Sequence, residues 1–316
     1  MLRYTFRQLE YFVAVGEAGS IALAADRVNV SSPSISAAIT QLEKEFGLPL
    51  FVRQHAQGLS LTIAGKQMMS QAKIVLREAG SLMDVAGDVS GKVRGPITIG
   101  CLLTFAQVVL PSLRKSFENS FPEVSIRQQE LNQAEIFSGL RRAEVDIALT
   151  YDLDLPADLV FEQLAVLPPV VILDQAHPLA GSESLTVDDL VPHPMVLLDL
   201  PFSSDYFLSF FDDVGAKPII AERTRDMAVM RSLVANGFGY SIANVRPLSN
   251  RSPDGKPLVF IPLVGRVRPM RMGLLMANDA VSANVIRAFV EHSKTLAESE
   301  HLLGQVGSFN LSEVLR

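Results

Sequence analysis

Residues 31 to 53 read SSPSISAAITQLEKEFGLPLFVR, and the groups there that can do chemistry form hydrogen bonds; they are not catalytic. Ser34, Ser36, Thr40 and Gln41 carry hydroxyl or amide groups, Lys44 and Arg53 carry fixed positive charge, and Pro33 and Ala37 between them are small. On the opposite side Ile35, Ile39, Leu42 and Phe46 recur at spacings of four, three and four, which marks the apolar stripe of a helix facing a core. A helix with that outward face can lie close against another surface and donate to phosphate. Its start is expected at Ser32 and Pro33, because a Ser hydroxyl can accept an orphan backbone N–H and Pro at the first helical position loses nothing. Gly47 with Pro49 stops it.

The elements that must position this face follow from the neighbouring periodicity. Phe6, Leu9, Tyr11, Phe12, Val13 and Val15 predict a first helix, and Ser20 caps a second that carries Ile21, Ala24, Ala25 and Val28. The third follows the short turn NVSS, giving helix, turn, helix. Then LPLFVRQHAQGLSLT holds two extended runs around Gly58, a hairpin or wing with Arg53 on its first limb and a solvated His55. From Ala64 to about Val89 the pattern becomes one long helix. Met68, Ala72, Val75, Ala79, Leu82, Ala86 and Val89 form a heptad seam suited to packing in a core or pairing with a second chain, and its alanines favour close antiparallel packing.

GKVRGPITIG at 91 to 100 reads as a hinge into a strand. Strands and helices then alternate: ITIGCL, a helix from about Ala106 to Asn119, VSIRQQE, a helix from about Gln133 to Arg142, and VDIALT, with parallel strands. A second block repeats the style with VVILD, PMVLLD, a helix from about Ser204 to Val214, PIIAE, a helix from about Met227 to Asn236, GYSIAN and LVFIPL. RMGLLMAN and a helix from Ala280 to about Leu302 close it, and residues 304–316 receive no assignment. Two α/β lobes with a cleft at the strand C-terminal ends is the expected architecture.

The chain's 316 residues suggest two or three units, and 48% hydrophobic with 20% charged residues exclude wholesale disorder. Residues 1 to 95 hold ten basic against eight acidic side chains, an excess of +2 that leaves −8 elsewhere in a chain of net charge −6. The asymmetry is too mild to argue nucleic-acid binding alone, so the helix pattern carries that case. A single cysteine, Cys101, excludes an intramolecular disulfide and a multi-cysteine zinc site, and fits a cytoplasmic location. Arg7, Gln8, Glu10 and Glu17 interrupt the apolar run before SIALAADRV, so no signal peptide is expected, and the most apolar stretch, LAVLPPVVIL, is too short and proline-broken to span a membrane.

ALAADRVNVSSPSISAAITQLEKEFGLPLFVRQ followed by LTIAG resembles the LysR-type transcriptional regulators, and TIG, LP, FPEV, VDIAL and LVANGFGYSI fall in that family's order along nearly the whole chain. The resemblance implies an N-terminal α winged helix-turn-helix plus long linker helix, then an α/β two-lobed periplasmic-binding-protein-like effector domain. The boundaries expected are 1–63 for DNA binding, 64–90 for the linker and dimerisation helix, and 91–316 for the effector domain, with lobe I about 96–163 and 268–303 and lobe II about 164–267. It implies double-stranded promoter DNA, a small and anionic organic effector, a homodimer or homotetramer and contact with RNA polymerase as partners, with no membrane and no cofactor.

The DNA-contacting residues implied are Ser32, Pro33, Ser34, Ser36, Ala37, Thr40, Gln41 and Arg53, the last matching the wing arginine that reaches the minor groove or the phosphates, with a plain exposed hairpin charge as the alternative. Ser32 stands where Gln is commonest, and Ala37, Ala38 and Thr40 where long side chains are frequent, so discrimination must lean on few base contacts or on DNA shape. For the effector, Thr104, Asn132 and Gln133 match polar contacts of the first lobe, and Phe202, Ser203 and Ser204 a loop facing the cleft, with Ser204 equally readable as a helix cap. Thr224 and Arg225 precede another helix, where Arg225 offers positive charge for an anion or a surface ion pair. Cys101 is read as a small buried thiol rather than part of the cleft mouth, and Asn244 stands where the family usually carries Pro.

A cytoplasmic solute-binding protein whose N-terminal helices serve assembly is the alternative. An enzyme ranks below both. The chain has no G-x-S-x-G, H-E-x-x-H, P-loop or G-x-G-x-x-G, and His55, His177, His193, His292 and His301 form no metal-spaced cluster.

Overall fold

The computed structural model describes residues 3–54, 58–90, 93–278, 280 and 283–298. His55, the Gly91–Lys92 part of the expected hinge and the unassigned 304–316 lie outside them. Two compact units divide the chain, Met1–Lys92 with Gly139–Glu144, and Val93–Ser138 with Val145–Arg316.

In the first unit, helix α1 (Phe6–Ala18) opens on a capping box between Thr5 and Gln8 and closes at Gly19, whose φ of 63° a glycine adopts freely. Helix α2 (Ile21–Arg27) is capped by Ser20, as its sequence indicates. Helix α3 (Ser32–Phe46) begins one residue earlier than expected. Ser31, not Ser32, is the cap: Asn29, at φ 53°, turns the chain so that Ser31 is extended and its hydroxyl accepts from Ser34 N at 3.4 Å, which leaves Ser32 helical. Strands β1 (Phe51–Gln54) and β2 (Gly58–Leu61) pair antiparallel, Arg53 opposite Leu59.

Phe12, Val15, Ala24, Ala25, Ile35, Leu42 and Leu50 fill the core of this unit, and the Glu17 carboxylate ties it together by accepting from Arg27 at 2.8 Å and pairing with Lys73 at 3.1 Å. Helix α4 (Ile63–Ser90) gives its first half to that core through Met68, Met69, Ala72, Val75 and Leu76. Leu82, farther along the expected seam, is 71% exposed.

The second unit holds two sheets. One has the order β4-β3-β5-β12-β6, from β3 (Gly95–Leu102), β4 (Val124–Leu131), β5 (Ile147–Tyr151), β6 (Leu159–Leu167) and β12 (Met270–Ala277). Strand β3 runs parallel to β4 and β5, and β12 runs antiparallel to its neighbours. The other joins β10 (Ser241–Ala243), β7 (Val170–Asp174) and β11 (Leu258–Pro262), and a parallel bridge from Met195 to Tyr240 adds the pair β8 (Pro194–Leu198) and β9 (Ile219–Thr224). Both sheets therefore read second, first, third, visiting strand, fourth. The chain crosses between them at residues 168–169 and 263–269.

Helices α5 (Leu103–Val108), α6 (Leu110–Ser120), α7 (Gln133–Arg141), α8 (Val187–Leu190), α9 (Ser203–Asp212), α10 (Met227–Ala235) and α11 (Asn284–Glu298) cover the sheets. The single helix expected from Ala106 to Asn119 is two, beginning at Leu103 and broken at Val109, because Pro111 has no N–H to continue α5 and instead opens α6. Strand β6 and helix α8 were not anticipated from sequence.

Candidate functional site

Helix α3 presents the face expected of it. Ile35 and Leu42 are fully buried, whereas Pro33, Ser34, Ala37, Thr40, Gln41 and Lys44 are exposed and Ser32 and Ser36 half-buried. Part of the polar inventory is engaged locally: the Ser31 and Ser34 hydroxyls share a 2.8 Å hydrogen bond and Thr40 Oγ1 donates to Ser36 O at 3.0 Å. Gln41 is held from another helix, since Gln8 Nε2 donates to its Oε1 at 2.9 Å. Arg53 lies on β1, whose pairing with β2 places both limbs of the hairpin next in sequence to this helix.

A cavity of about 240 Å³ lies between the two sheets of the second unit. Its floor is built from strand ends: Leu102, Leu131 and Tyr151 end β3, β4 and β5, and Leu198 and Ala243 end β8 and β10, so both sheets deliver the C-terminal ends of their parallel strands to one place. Leu200, Phe207, Met227 and Met270 make most of the wall apolar, and Glu130, Glu135 and Arg225 supply its charges.

Of the residues expected here, Thr104, Asn132, Gln133, Ser203 and Arg225 line the cavity. Their polar groups differ in freedom. Gln133 is 3% exposed and its amide is spent on the fold, donating to Tyr151 O and Leu153 O and accepting from Thr150 Oγ1 at 2.5 Å. Asn132 caps α7 reciprocally with Glu135, each backbone N–H donating to the other's side chain, at 2.8 and 3.0 Å.

Phe202, Ser204 and Thr224 are not among the lining residues. Phe202 takes the helix-cap position of α9 with φ 66° and packs its ring on Phe137 at 5.9 Å. Ser204 lies inside α9 and its hydroxyl donates back to Leu200 O at 3.1 Å, so it is not the helix cap. Thr224 Oγ1 accepts from Asp226 N, and Asp226 is the residue that caps α10. Cys101 is fully buried and outside the lining, its thiol pushed up in pKa by burial and by nearby Glu130.

Sequence reasoning missed Tyr151, Met270 and Asn244 on the wall. Asn244 alone had left a signal, as a polar residue at a position usually held by Pro. It is 5% exposed, and its Nδ2 donates to Leu167 O at 2.8 Å and to Tyr206 Oη at 3.1 Å. Tyr206 Oη in turn donates to Arg268 O. Among the described residues no group of His, Cys, Asp and Glu could hold a metal ion, and no helix is long and apolar enough to cross a membrane.

Residues 6–66 match the bacterial regulatory helix-turn-helix protein, lysR family, and residues 90–298 match the LysR substrate binding domain. The LysR family transcriptional regulator HinK of Pseudomonas aeruginosa is 34% identical, covers 93% of this chain and 99% of its own, and superposes with a TM-score of 0.63. The HTH-type transcriptional regulator CysB of Haemophilus influenzae is 28% identical over 292 residues, 90% of this chain and 88% of its own length. Full-length CbnR, solved with its target DNA, shares the fold at 23% identity and a TM-score of 0.63 over 92% of this chain and 99% of its own. A solute-binding protein without a DNA-reading part does not fit the match at residues 6–66. The chain belongs to the LysR family of transcriptional regulators, with an N-terminal helix-turn-helix for DNA and a substrate-binding domain for a small effector.

Proposed function

We propose that α3 and the β1–β2 hairpin lie on promoter DNA, with Ser32, Pro33, Ser34, Ser36, Ala37, Thr40 and Gln41 against the groove and Arg53 on the minor groove or phosphates. The cavity takes a small organic acid whose carboxylate pairs with Arg225, the cation on its wall. The observation that carries this reading is the division of α3 into a buried apolar stripe of Ile35, Ile39 and Leu42 and a largely exposed face of small and hydrogen-bonding residues. Short side chains let a helix approach base edges closely, and an Arg on the following hairpin adds the salt-dependent term.

Copies of the chain associate as dimers or tetramers and present paired reading heads to half-sites about a helical turn apart. The effector acts by binding one quaternary state better than another. Work on promoter DNA beside RNA polymerase supports a cytoplasmic location.

Mobility shift on the intergenic DNA beside its own gene, at two salt concentrations, tests this with wild type and Arg53→Ala. Salt-sensitive retention is expected, and the variant should bind more weakly with a salt slope reduced by about 1. Absence of retention at low salt would remove the DNA assignment of this face.

A further inference from the structure

The charges on the cavity wall are divided between its two sides. The two sheets share one strand order, so the turn from β4 into α7 and the turn from β9 into α10 are equivalent places, and both reach the cavity. The first carries Glu130 and Glu135, the second Arg225, and among the described residues these are the only charged side chains of the lining. All three stay exposed, which puts them at the mouth. Behind them the lining is apolar and deep: Leu198, Phe207, Met227 and Met270 are each at most 6% exposed.

Each of these charges keeps capacity for a ligand. Glu135 uses Oε2 to accept from Asn132 N and Glu130 uses Oε1 to accept from Gln128 Nε2, so each carboxylate retains its other oxygen. Arg225 makes no hydrogen bond or ion pair with a described residue. Its neighbour Asp226 is turned onto α10, accepting from Ala228 N and Val229 N. Thr104, only 8% exposed on the same wall, has a hydroxyl that no described residue engages and that is not among the sealed buried atoms.

A plain carboxylate entering this cavity meets one cation and two like charges. A ligand that also carries an ammonium group turns those like charges into partners, while an apolar body displaces water behind the mouth. We propose that the effector is an α-amino acid with an apolar side chain: its carboxylate pairs with Arg225, its ammonium group with Glu130 and Glu135, and its side chain enters the apolar interior. A head that holds both charges on one carbon suits a mouth that presents both signs, and a cavity of about 240 Å³ suits one compact ligand. The inference rests on the reading of the cavity as an acid-binding effector site.

Calorimetric titration of the full-length protein tests this with valine, leucine, isoleucine, methionine, phenylalanine and tryptophan. Each is compared with the acid that lacks only its amino group, such as isocaproate for leucine and hydrocinnamate for phenylalanine, and with the amine that lacks only its carboxyl group. At least one amino acid is expected to bind about tenfold more tightly than its acid, with an advantage that shrinks as salt is raised, because the charges lie at the mouth. Glu130→Gln combined with Glu135→Gln keeps the oxygens given to Gln128 and Asn132 and removes both charges. It should bring that amino acid down to the level of its acid without weakening the acid, whereas Arg225→Gln should weaken both.

Equal affinities within every pair of amino acid and acid, or a preference that survives the double variant, would overturn the inference while leaving the acid-binding cavity in place. An amine that binds as tightly as its amino acid would remove the carboxylate from recognition and overturn both readings. Should the double variant not fold, the wild-type pairs and the single Gln variants, each expected to lose part of the preference, decide. Silence of every acid and amino acid at millimolar concentration would overturn the acid-binding reading itself, and the inference with it.

Discussion

Gln41 stands at the end of a hydrogen-bonded chain that starts at the cap of α1. Thr5 N donates to Gln8 Oε1 at 2.8 Å, which fixes the Gln8 amide, and Gln8 Nε2 donates to Gln41 Oε1 at 2.9 Å. With its carbonyl oxygen turned to Gln8, Gln41 shows its NH₂ outward as a donor. A donor matches guanine O6 and N7 or thymine O4, and mismatches the amino groups of cytosine and adenine. Gln8→Glu separates the two functions of Gln8. A carboxylate still accepts from Thr5 N and keeps the cap, but it has no N–H to give, so Gln41 must turn its NH₂ inward and its oxygen out. Sequences recovered from a random DNA pool should then change at one position per half-site, toward adenine or cytosine, by about 1–3 kcal/mol. An unchanged motif with unchanged affinity would mean that Gln41 reads no base.

At the scale of elements, the junction of hairpin and linker helix is held by two residues of the LTIAG run. Thr62 Oγ1 donates to Pro49 O and accepts from Gly65 N, both at 2.8 Å, capping α4 against the segment that leads into β1. Gly65 is required by proximity, since a Cβ there would sit 2.1 Å from Leu50 O. Gly65→Ala should therefore destabilise the first unit by about 1–3 kcal/mol, as overpacking does. For a unit of this size that lowers its thermal midpoint by several degrees, readable by circular dichroism. A midpoint equal to wild type would mean the backbone moves aside without cost. Elements of this unit were legible in sequence because they are local: the four, three, four spacing of Ile35, Ile39, Leu42 and Phe46 and the Ser20 cap each involve a few consecutive residues. The cap of α3 was misplaced by one because two adjacent serines are equivalent until the Asn29 turn is known. Strand β6 escaped notice because LVFEQLAVL is mostly half-buried at a sheet edge and shows no clean alternation, and its run ends in two prolines. The break at Val109 was written in Pro111 but outweighed by the helical periodicity on either side.

Across the whole molecule, the cavity comes into being only when strands distant in sequence meet, which is why Tyr151 and Met270 carried no local signal for it and Asn244 showed only as a departure from the family's usual Pro. Its polar residues at helix starts, Thr104, Asn132 and Ser203, were accessible to a family pattern. Long-range packing also sets how stability depends on pH. His177 and His292 both have pKa values lowered from the ordinary 6.5, His177 by burial first and then by the neighbouring His193, against an opposing pull from Asp174, and His292 by burial between Phe117 and Phe121. Neutral His177 is also used directly, since its Nδ1 accepts from Leu179 N at 3.2 Å, which an imidazolium cannot do. The native state thus binds fewer protons than the unfolded chain just below pH 6.5, and stability rises with pH there. This contribution is complete above the unfolded value and is lost as the pH falls from it toward the lowered native values. Asp189, lowered by the two hydrogen bonds from Thr186, acts in a separate and more acid window: its contribution is present above the unfolded 3.8 and is lost as the pH falls below that. Thermal midpoints should therefore be level from pH 8 to 7, decline as the pH falls below about 6.5, and decline again below about 4. Both imidazoles are only partly buried, so the first decline is shallow, and His177→Asn combined with His292→Gln should flatten it while leaving the acid limb unchanged. A first decline of equal depth in the double variant would place the titrating groups elsewhere in the molecule.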